Sequence, residues 1–463
     1  MTARAEILRS DLRAMTADGV CFSVMVGLGE VYVPAFALAL GHGPASAGLL
    51  ATLPLLAGAC FQLVTPEAVR RLRSYRRWVV TCACLQALCF LPLCVSALAG
   101  WGPWLWLFAV ASAYWGFGMA TGPAWNAWVT SLVPARLRAR FFARRTRSAQ
   151  AALLIALLVG GVALERARRG ELELFAFAAL FACASIARLV SARFLWQQSE
   201  DTQVALSHRP LPLRALRASL RGHGRGGARV LAYLLGMQLA AHIAAPYFTP
   251  YMLGPLALGY ERFTVLIAAS FLARIAILPG LGHLAKHRGS RFVLVAGAIG
   301  IVPLPTLWLV SNDFVWLLSL QMISGCAWAA VEYASLLSFF EGIDERDRAS
   351  VLSFFNLANA AALTTGSLFG GALLRGLGAG PDAYPWLFAA SSAMRLAMLP
   401  LLYRRARATA RAEAHASRAQ APSATPVAPV ALGTLALRPA SGALQRPLLP
   451  PADEEHAPPP PGA

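Results

Sequence analysis

Apolar residues run along this chain in blocks of about twenty. They neither alternate as in a half-buried strand nor stripe one face of a surface helix. The blocks occupy residues 19–40, 45–65, 78–99, 104–129, 149–164 and 172–196, then 229–253, 262–285, 292–310, 315–340, 351–374 and 385–403. At a rise of about 1.5 Å per residue each is near the length that crosses a hydrocarbon layer of about 30 Å. Backbone groups in lipid must find partners within their own segment, so helices are the expected form. The pattern predicts an all-α integral membrane protein with twelve transmembrane helices. A polar stretch at 197–228, with arginine at 209, 214, 217, 221 and 225, divides them into two six-helix halves. Residues 1–18 precede the first span. Residues 404–463 open with RRARATARAEAHASR and hold 11 of the 30 prolines, a composition expected to stay disordered.

Charge placement adds an orientation. The chain has 57% hydrophobic residues, 14% charged residues and a formal charge of +19. Arg70, Arg71, Arg73, Arg76 and Arg77 fall between spans two and three, and Arg136, Arg138, Arg140, Arg144, Arg145 and Arg147 between spans four and five. The 1/2 and 3/4 loops hold neither Lys nor Arg. By the positive-inside rule the basic loops, the central linker and both termini are cytoplasmic, in a bacterial inner membrane. Arg166, Arg168 and Arg169 in the 5/6 loop run against that rule. The basic clusters are thus topological, and the bilayer rather than nucleic acid is the expected partner. The chain is expected to act as a monomer.

Candidate chemistry is sparse. The eight cysteines all lie inside apolar blocks and make no paired CxxC set, so no metal is expected. No Ser/His/Asp set, paired-histidine metal motif or phosphate-binding glycine loop appears, and no GxxxxGK[ST] sequence for an ATP-driven pump. No catalytic residue and no cofactor is expected. A membrane-embedded enzyme is therefore disfavoured, whereas a transporter-like sensor or scaffold shares every feature of a transporter except flux.

Short matches relate the halves. GEVYVPAFALALG at 29–41 resembles AHIAAPYFTPYMLG at 241–254, and VPARLRAR at 133–140 lines up with IDERDRAS at 343–350. Between spans eight and nine stands GHLAKHRGSR, residues 282–291. It resembles the G-x-L-A-D-R-x-G-x-R loop motif of the major facilitator superfamily, and the span count, the 6+6 division and GPAWNAWVTSLVPARLRARFFARR at 122–145 are similar to bacterial members. The resemblance implies two pseudo-symmetric six-helix bundles that rock around a central site lined by spans one, four, seven and ten. It also implies a cytoplasmic gating loop made of Gly282, Lys286, Arg288, Gly289 and Arg291. Gly282 and Gly289 would allow a tight turn there, and Arg288 and Arg291 would meet carboxylates or helix ends of the other half. Lys286 stands at the motif's acidic position, and the basic counterpart VRRLRSYRRW at 69–78 has no glycine. Ser112 falls where drug/proton antiporters of the superfamily carry an arginine, and span five has only Gly160 and Gly161 of their G-P-x-x-G-G run.

Ionisable groups at bilayer depth cost about 2.5–3.5 kcal/mol on insertion scales, so each one is a candidate. Span one carries Ser23, Gly27, Glu30 and Pro34 at helical spacing; span seven carries Gln238, His242, Pro246 and Thr249; span ten carries Gln321, Ser324, Trp328, Glu332 and Ser335. Glu30, Gln238, His242, Arg274, Trp328 and Glu332 make up the expected substrate or proton pathway. Glu30 is read as a substrate contact or proton carrier, with a structural carboxyl as the alternative. Arg274 and Glu332 are expected to pair. Trp115, Trp125 and Trp128 line the cavity or pack, and Gly366 with Gly370 form a small-residue packing face. The expectation is a transporter of a small solute, its class, direction and coupling ion left open.

Overall fold

A computed structural model describes residues 2–200, 224–342 and 348–416. Most of the central linker, residues 343–347 and the tail beyond 416 lie outside it, as do the side chains of Arg136, Arg138, Arg140, Lys286 and Asn356. The described residues form helices and contain no strand.

The twelve predicted spans are all present, but five are not single helices. Span one is Thr2–Leu28, a 3-10 turn at Glu30–Tyr32 and Val33–Ala39. Span two is Pro44–Leu50, Leu53–Phe61, a 3-10 turn at Gln62–Val64 and Thr65–Leu72. Span three is Tyr75–Leu88 and Phe90–Ala99, span seven Gly224–His242, a 3-10 turn at Ala245–Tyr247 and Phe248–Leu253, and span nine Ser290–Ile301 and Leu304–Leu307. Proline stands within or just after each of these breaks, where it denies an amide donor to the carbonyl four residues back. The unbroken spans are four (Trp104–Leu132), five (Ala135–Arg169), six (Glu173–Gln197), eight (Tyr260–Arg288), ten (Phe314–Gly342), eleven (Arg348–Gly376) and twelve (Ala383–Ala416).

Ten passes contain a segment long and apolar enough to cross a membrane. The other two are the fourth, rich in tryptophan and glycine, and the seventh, which carries Gln238 and His242 and is broken after them. Two ends differ from expectation. Helix begins at Thr2 rather than near residue 19, and Asp11 and Asp18 are buried against the first half. The twelfth helix runs on to Ala416, because the Arg, Ala and Glu residues after Tyr403 are strong helix formers and no proline follows Pro400 until Pro422.

Within the first half span one packs on spans five and six, and span four on spans two and three. In the second half span ten packs on eight and nine, and span seven on eleven and twelve. The halves meet through span five against eight, two against eleven, and the ends of one and two against seven. One apolar core contains residues of both halves; a second, around Met15, Val79, Trp125, Trp128 and Phe142, belongs to the first half alone. It lies toward the end that carries the basic loops.

The 8/9 turn is one residue long. Gly289 has φ +83° and ψ 152°, a region reserved for glycine, and it links Arg288 directly to Ser290. At the corresponding 2/3 turn the left-handed residue is Arg73, at φ 48°, followed by Ser74, whose hydroxyl accepts the Arg77 amide at 3.0 Å and caps the next helix.

Candidate functional site

Glu30 sits in the 3-10 turn of span one. Gly29 and Pro34 interrupt the α-helix there, and the tighter winding turns Glu30 out of the register it would share with Gly27. A Cβ on Gly27 would press on Leu153 and Ala156, so Gly27 packs against span five, and the predicted single polar face of span one is divided. The Glu30 carboxylate, 8% exposed, accepts the Tyr114 hydroxyl of span four at 2.7 Å. Phe90 of span three lies against the Tyr114 ring, with centroids 5.2 Å apart.

His242 is the last residue of the first helix of span seven. Its Nδ1 donates to the Gln238 carbonyl at 3.0 Å, and its Nε2 is buried without a hydrogen-bond partner. Beyond it the helix breaks, and carbonyls that would have been satisfied along the helix turn to side chains of other spans. Pro246 has no amide to offer the His242 carbonyl, which lies 3.4 Å from the Ser367 hydroxyl, itself bonded to the Leu363 carbonyl of its own helix at 2.9 Å. The Ala240 carbonyl takes the Ser391 hydroxyl at 2.7 Å, and Tyr247 donates to the Ser367 carbonyl at 2.6 Å.

Arg274 and Glu332 do meet. Arg274 Nη1 lies 2.9 and 3.0 Å from the two carboxylate oxygens. Span ten keeps its polar stripe on an unbroken helix: Gln321, Ser324, Trp328, Glu332 and Ser335 are all half-buried, whereas Met322 and Ile323 face outward. Gln238 is half-buried as well. Trp115, Trp125 and Trp128 are buried in the core; Trp125 stacks on the Arg145 guanidinium at 4.7 Å, and Trp128 Nε1 donates to the Ser199 carbonyl at 2.9 Å.

At the gating loop Gly282 lies near the Tyr333 hydroxyl, and Arg288 stacks on Phe292 of its own half at 5.1 Å. Arg291 is half-buried. Across the halves, the described hydrogen bonds involve Tyr260, at the opposite end of span eight. Its amide donates to Glu165 at 2.9 Å and its hydroxyl to Glu173 at 2.5 Å, while Arg168 lies over its ring at 6.0 Å. Glu165 thereby caps the N-terminus of a helix in the other half. The same loop gave the topological dissent of Arg166, Arg168 and Arg169.

Five further residues, Asp18, Tyr114, Arg188, Tyr260 and Arg395, carry no weight in the sequence reading. Asp18 pairs with Arg145 at 3.3 Å and accepts the Ser191 hydroxyl at 2.7 Å, and Ser191 in turn accepts Arg188 Nη1 at 2.8 Å. Arg188 Nε donates to Gln86 at 2.8 Å. The second half has a lone counterpart in Arg395 of span twelve. The signal was present as a repeat, Ser185-x-x-Arg188-Leu189 and Ser392-x-x-Arg395-Leu396. Tyr114 and Tyr260 give no such signal. No group of three or more potential metal ligands occurs among the described residues.

The family model of the Major Facilitator Superfamily matches residues 19–340. The chain belongs to this superfamily. It is a multi-pass membrane transporter, and its twelve helices in two halves are that fold. A mutant of the nucleoside transporter NupG is similar in structure, with TM-score 0.67 and 13% identity over 85% of this chain and 99% of that one. A bacterial homolog of the human lysosomal transporter Spinster, in an inward-facing and occupied conformation, gives TM-score 0.64 and 13% identity over 87% and 97%. At such identities the likeness is one of fold. Comparison with curated proteins finds no match.

Proposed function

We propose that the chain moves a small solute across the bacterial cytoplasmic membrane by alternating access, with Glu30, Gln238, His242, Arg274, Trp328 and Glu332 along the solute or proton path. The observation that carries this reading is the placement of the contacts between halves. Tyr260 with Glu165 and Glu173, and span five against span eight, gather at the end away from the basic loops. Hydrogen bonds between the bundles that, among the described residues, gather at one end, together with a half-buried polar stripe on span ten, suit a rocking motion of the two halves. With the basic loops and both termini cytoplasmic, the closed end is the outer one. Labelling of a cysteine at position 140 from outside the cell would reverse that orientation.

Flux in proteoliposomes separates transport from a sensor or scaffold role. Proton coupling is assigned to Glu30, whose carboxyl is shared with Tyr114 inside the first half. Glu30→Gln is expected to fold, to lose uptake driven by a pH gradient and to retain solute exchange at equal pH. Accumulation equal to wild type under a pH gradient would remove Glu30 from the proton path, and loss of binding together with exchange would make it a solute contact.

A further inference from the structure

Arg395 is 3% exposed, deep in the second half. Nη1 donates to the Ile301 carbonyl of span nine at 2.7 Å, Nη2 reaches the Ala241 carbonyl of span seven at 3.5 Å, and the guanidinium lies 6.0 Å from the Trp328 ring of span ten. Both carbonyls stand at helix breaks; Pro305 denies Ile301 its helical partner. Nε has no partner, and no ion pair among the described residues includes Arg395. The nearby acid of span ten, Glu332, is taken by Arg274.

The first half shows what is missing. Its equivalent arginine, Arg188, is connected through Ser191 to the carboxylate of Asp18. The register that pairs Glu30 with His242 pairs Asp18 with Val230, and the register that pairs Arg188 with Arg395 pairs Ser191 with Met398. The second half therefore has neither the acid nor the hydroxyl that relays to it. A guanidinium stays protonated in proteins, and a buried cation without a counter-charge is costly.

A second orphan stands beside the same break. His242 follows Ala241, whose carbonyl Arg395 approaches, and its Nε2 is buried without a partner at 7% exposure. Because Nδ1 donates to a carbonyl, neutral His242 presents Nε2 as an acceptor. One turn before Arg395, the Ser392 hydroxyl is also unpartnered. A cationic donor and a ring acceptor are thus left over at one break, walled by Trp328, with the Ser392 hydroxyl one turn along the arginine's helix; the donor suits an anionic oxygen, and the acceptor an O–H carried by the same anion, as in a hydroxycarboxylate or a monoprotonated phosphate.

We infer that the second half binds an anionic group at Arg395, with His242 and Ser392 beside it, and that transport carries a small anion, as the solute or together with it. The site is local to the second half; its use in transport rests on the function proposed above. The anion is the carboxylate or phosphate of the solute, or an inorganic anion that accompanies it.

Thermal unfolding of the purified full chain, in detergent and a low-salt zwitterionic buffer, tests the site by titration with sodium phosphate, sodium lactate or sodium chloride, and with neutral glycerol as the control. A saturable rise in the midpoint with at least one anion, absent with glycerol and lost in Arg395→Gln, is the expected result. Saturation with phosphate or lactate points to a solute headgroup, and with chloride alone to an inorganic ion. No saturable response to any of the three, or an unchanged response in Arg395→Gln, overturns the site. Should Arg395→Gln fail to fold, Trp328→Glu supplies a carboxylate beside the guanidinium and is expected to abolish the anion response. A saturable response in Trp328→Glu equal to that of wild type counts against the site. Flux separates the two ideas. Anion binding that depends on Arg395, without flux by wild type, sinks transport and leaves the site. Flux that none of these anions competes, and that Arg395→Gln leaves unchanged, sinks the site and leaves transport.

Discussion

Neutralising Arg274 or Glu332 alone should be worse than neutralising both. The two side chains are 9% and 24% exposed, and one nitrogen of Arg274 reaches both oxygens of Glu332 at 2.9 and 3.0 Å. Removing one partner of such a pair leaves the other buried and unpaired, at a cost of about 3–5 kcal/mol. Glu332 retains some access to solvent, so the lower end, about 3 kcal/mol, applies to Arg274→Gln. For domains of roughly 150–250 residues, the size of each half, 1 kcal/mol moves the midpoint by about 2–4 °C, so Arg274→Gln should unfold about 6–12 °C lower and Glu332→Gln, which orphans the more buried Arg274, about 6–20 °C lower. In Arg274→Gln/Glu332→Gln both charges are gone and the two amides can bond each other. That double variant should recover most of the loss, with a coupling energy of about 2 kcal/mol or more in the double-mutant cycle. The assay is thermal unfolding of the four proteins in one detergent. Additive losses in the double variant would show that the pair contributes nothing as a pair, and the account of span eight against span ten would fail.

Two further outcomes follow from close contacts. Tyr260→Phe keeps the amide bond to Glu165 but loses the hydroxyl bond to Glu173, worth about 1.5–3 kcal/mol for a charged acceptor. The state open at that end should gain roughly tenfold or more in population; spin labels at the exposed positions Leu172 and Trp386 should report a longer distance component, and an unchanged distribution would refute the clasp. Gly370→Leu would drive its Cβ into the Ile243 carbonyl of span seven, whereas the corresponding atom at Gly376 meets nothing within 4 Å. Its unfolding midpoint should fall by the equivalent of about 1–3 kcal/mol relative to Gly376→Leu, and equal midpoints would show that spans seven and eleven do not depend on that approach.

The twelve passes and their division were legible because a membrane span announces itself by length and apolarity alone. The pairing of Arg274 with Glu332 was legible too, since two costly charges on neighbouring spans have a common solution. The breaks were harder. Pro246 and Pro305 accompany real breaks, but Pro123, Pro279 and Pro400 lie inside unbroken helices, and the difference depends on neighbours that take up the freed carbonyls. Glu30 was read on an ideal helix, whereas the 3-10 turn after Gly29 delivers it to Tyr114. Asp18 was assigned to a terminal segment because charge near a chain start resembles a topology signal; its burial depends on Arg145 and Ser191, far away in sequence. Arg395 was passed over as one arginine in an apolar run, although the repeated Ser-x-x-Arg-Leu could have drawn attention to it.

The interruption in span seven has a mechanical meaning. A gap in a helix is commonly taken for a hinge, a place where two rods swing. Here Ser391 fastens the Ala240 carbonyl to span twelve, and the Tyr247 hydroxyl just past the gap bonds the Ser367 carbonyl of span eleven. The joint is pinned on two sides. Span seven therefore has little freedom to flex by itself, and any tilt imposed on its outer segment is handed to its two neighbours. Motion of the second half is then that of a braced frame rather than of an articulated arm, and the compliance needed for a cycle has to reside where the halves touch.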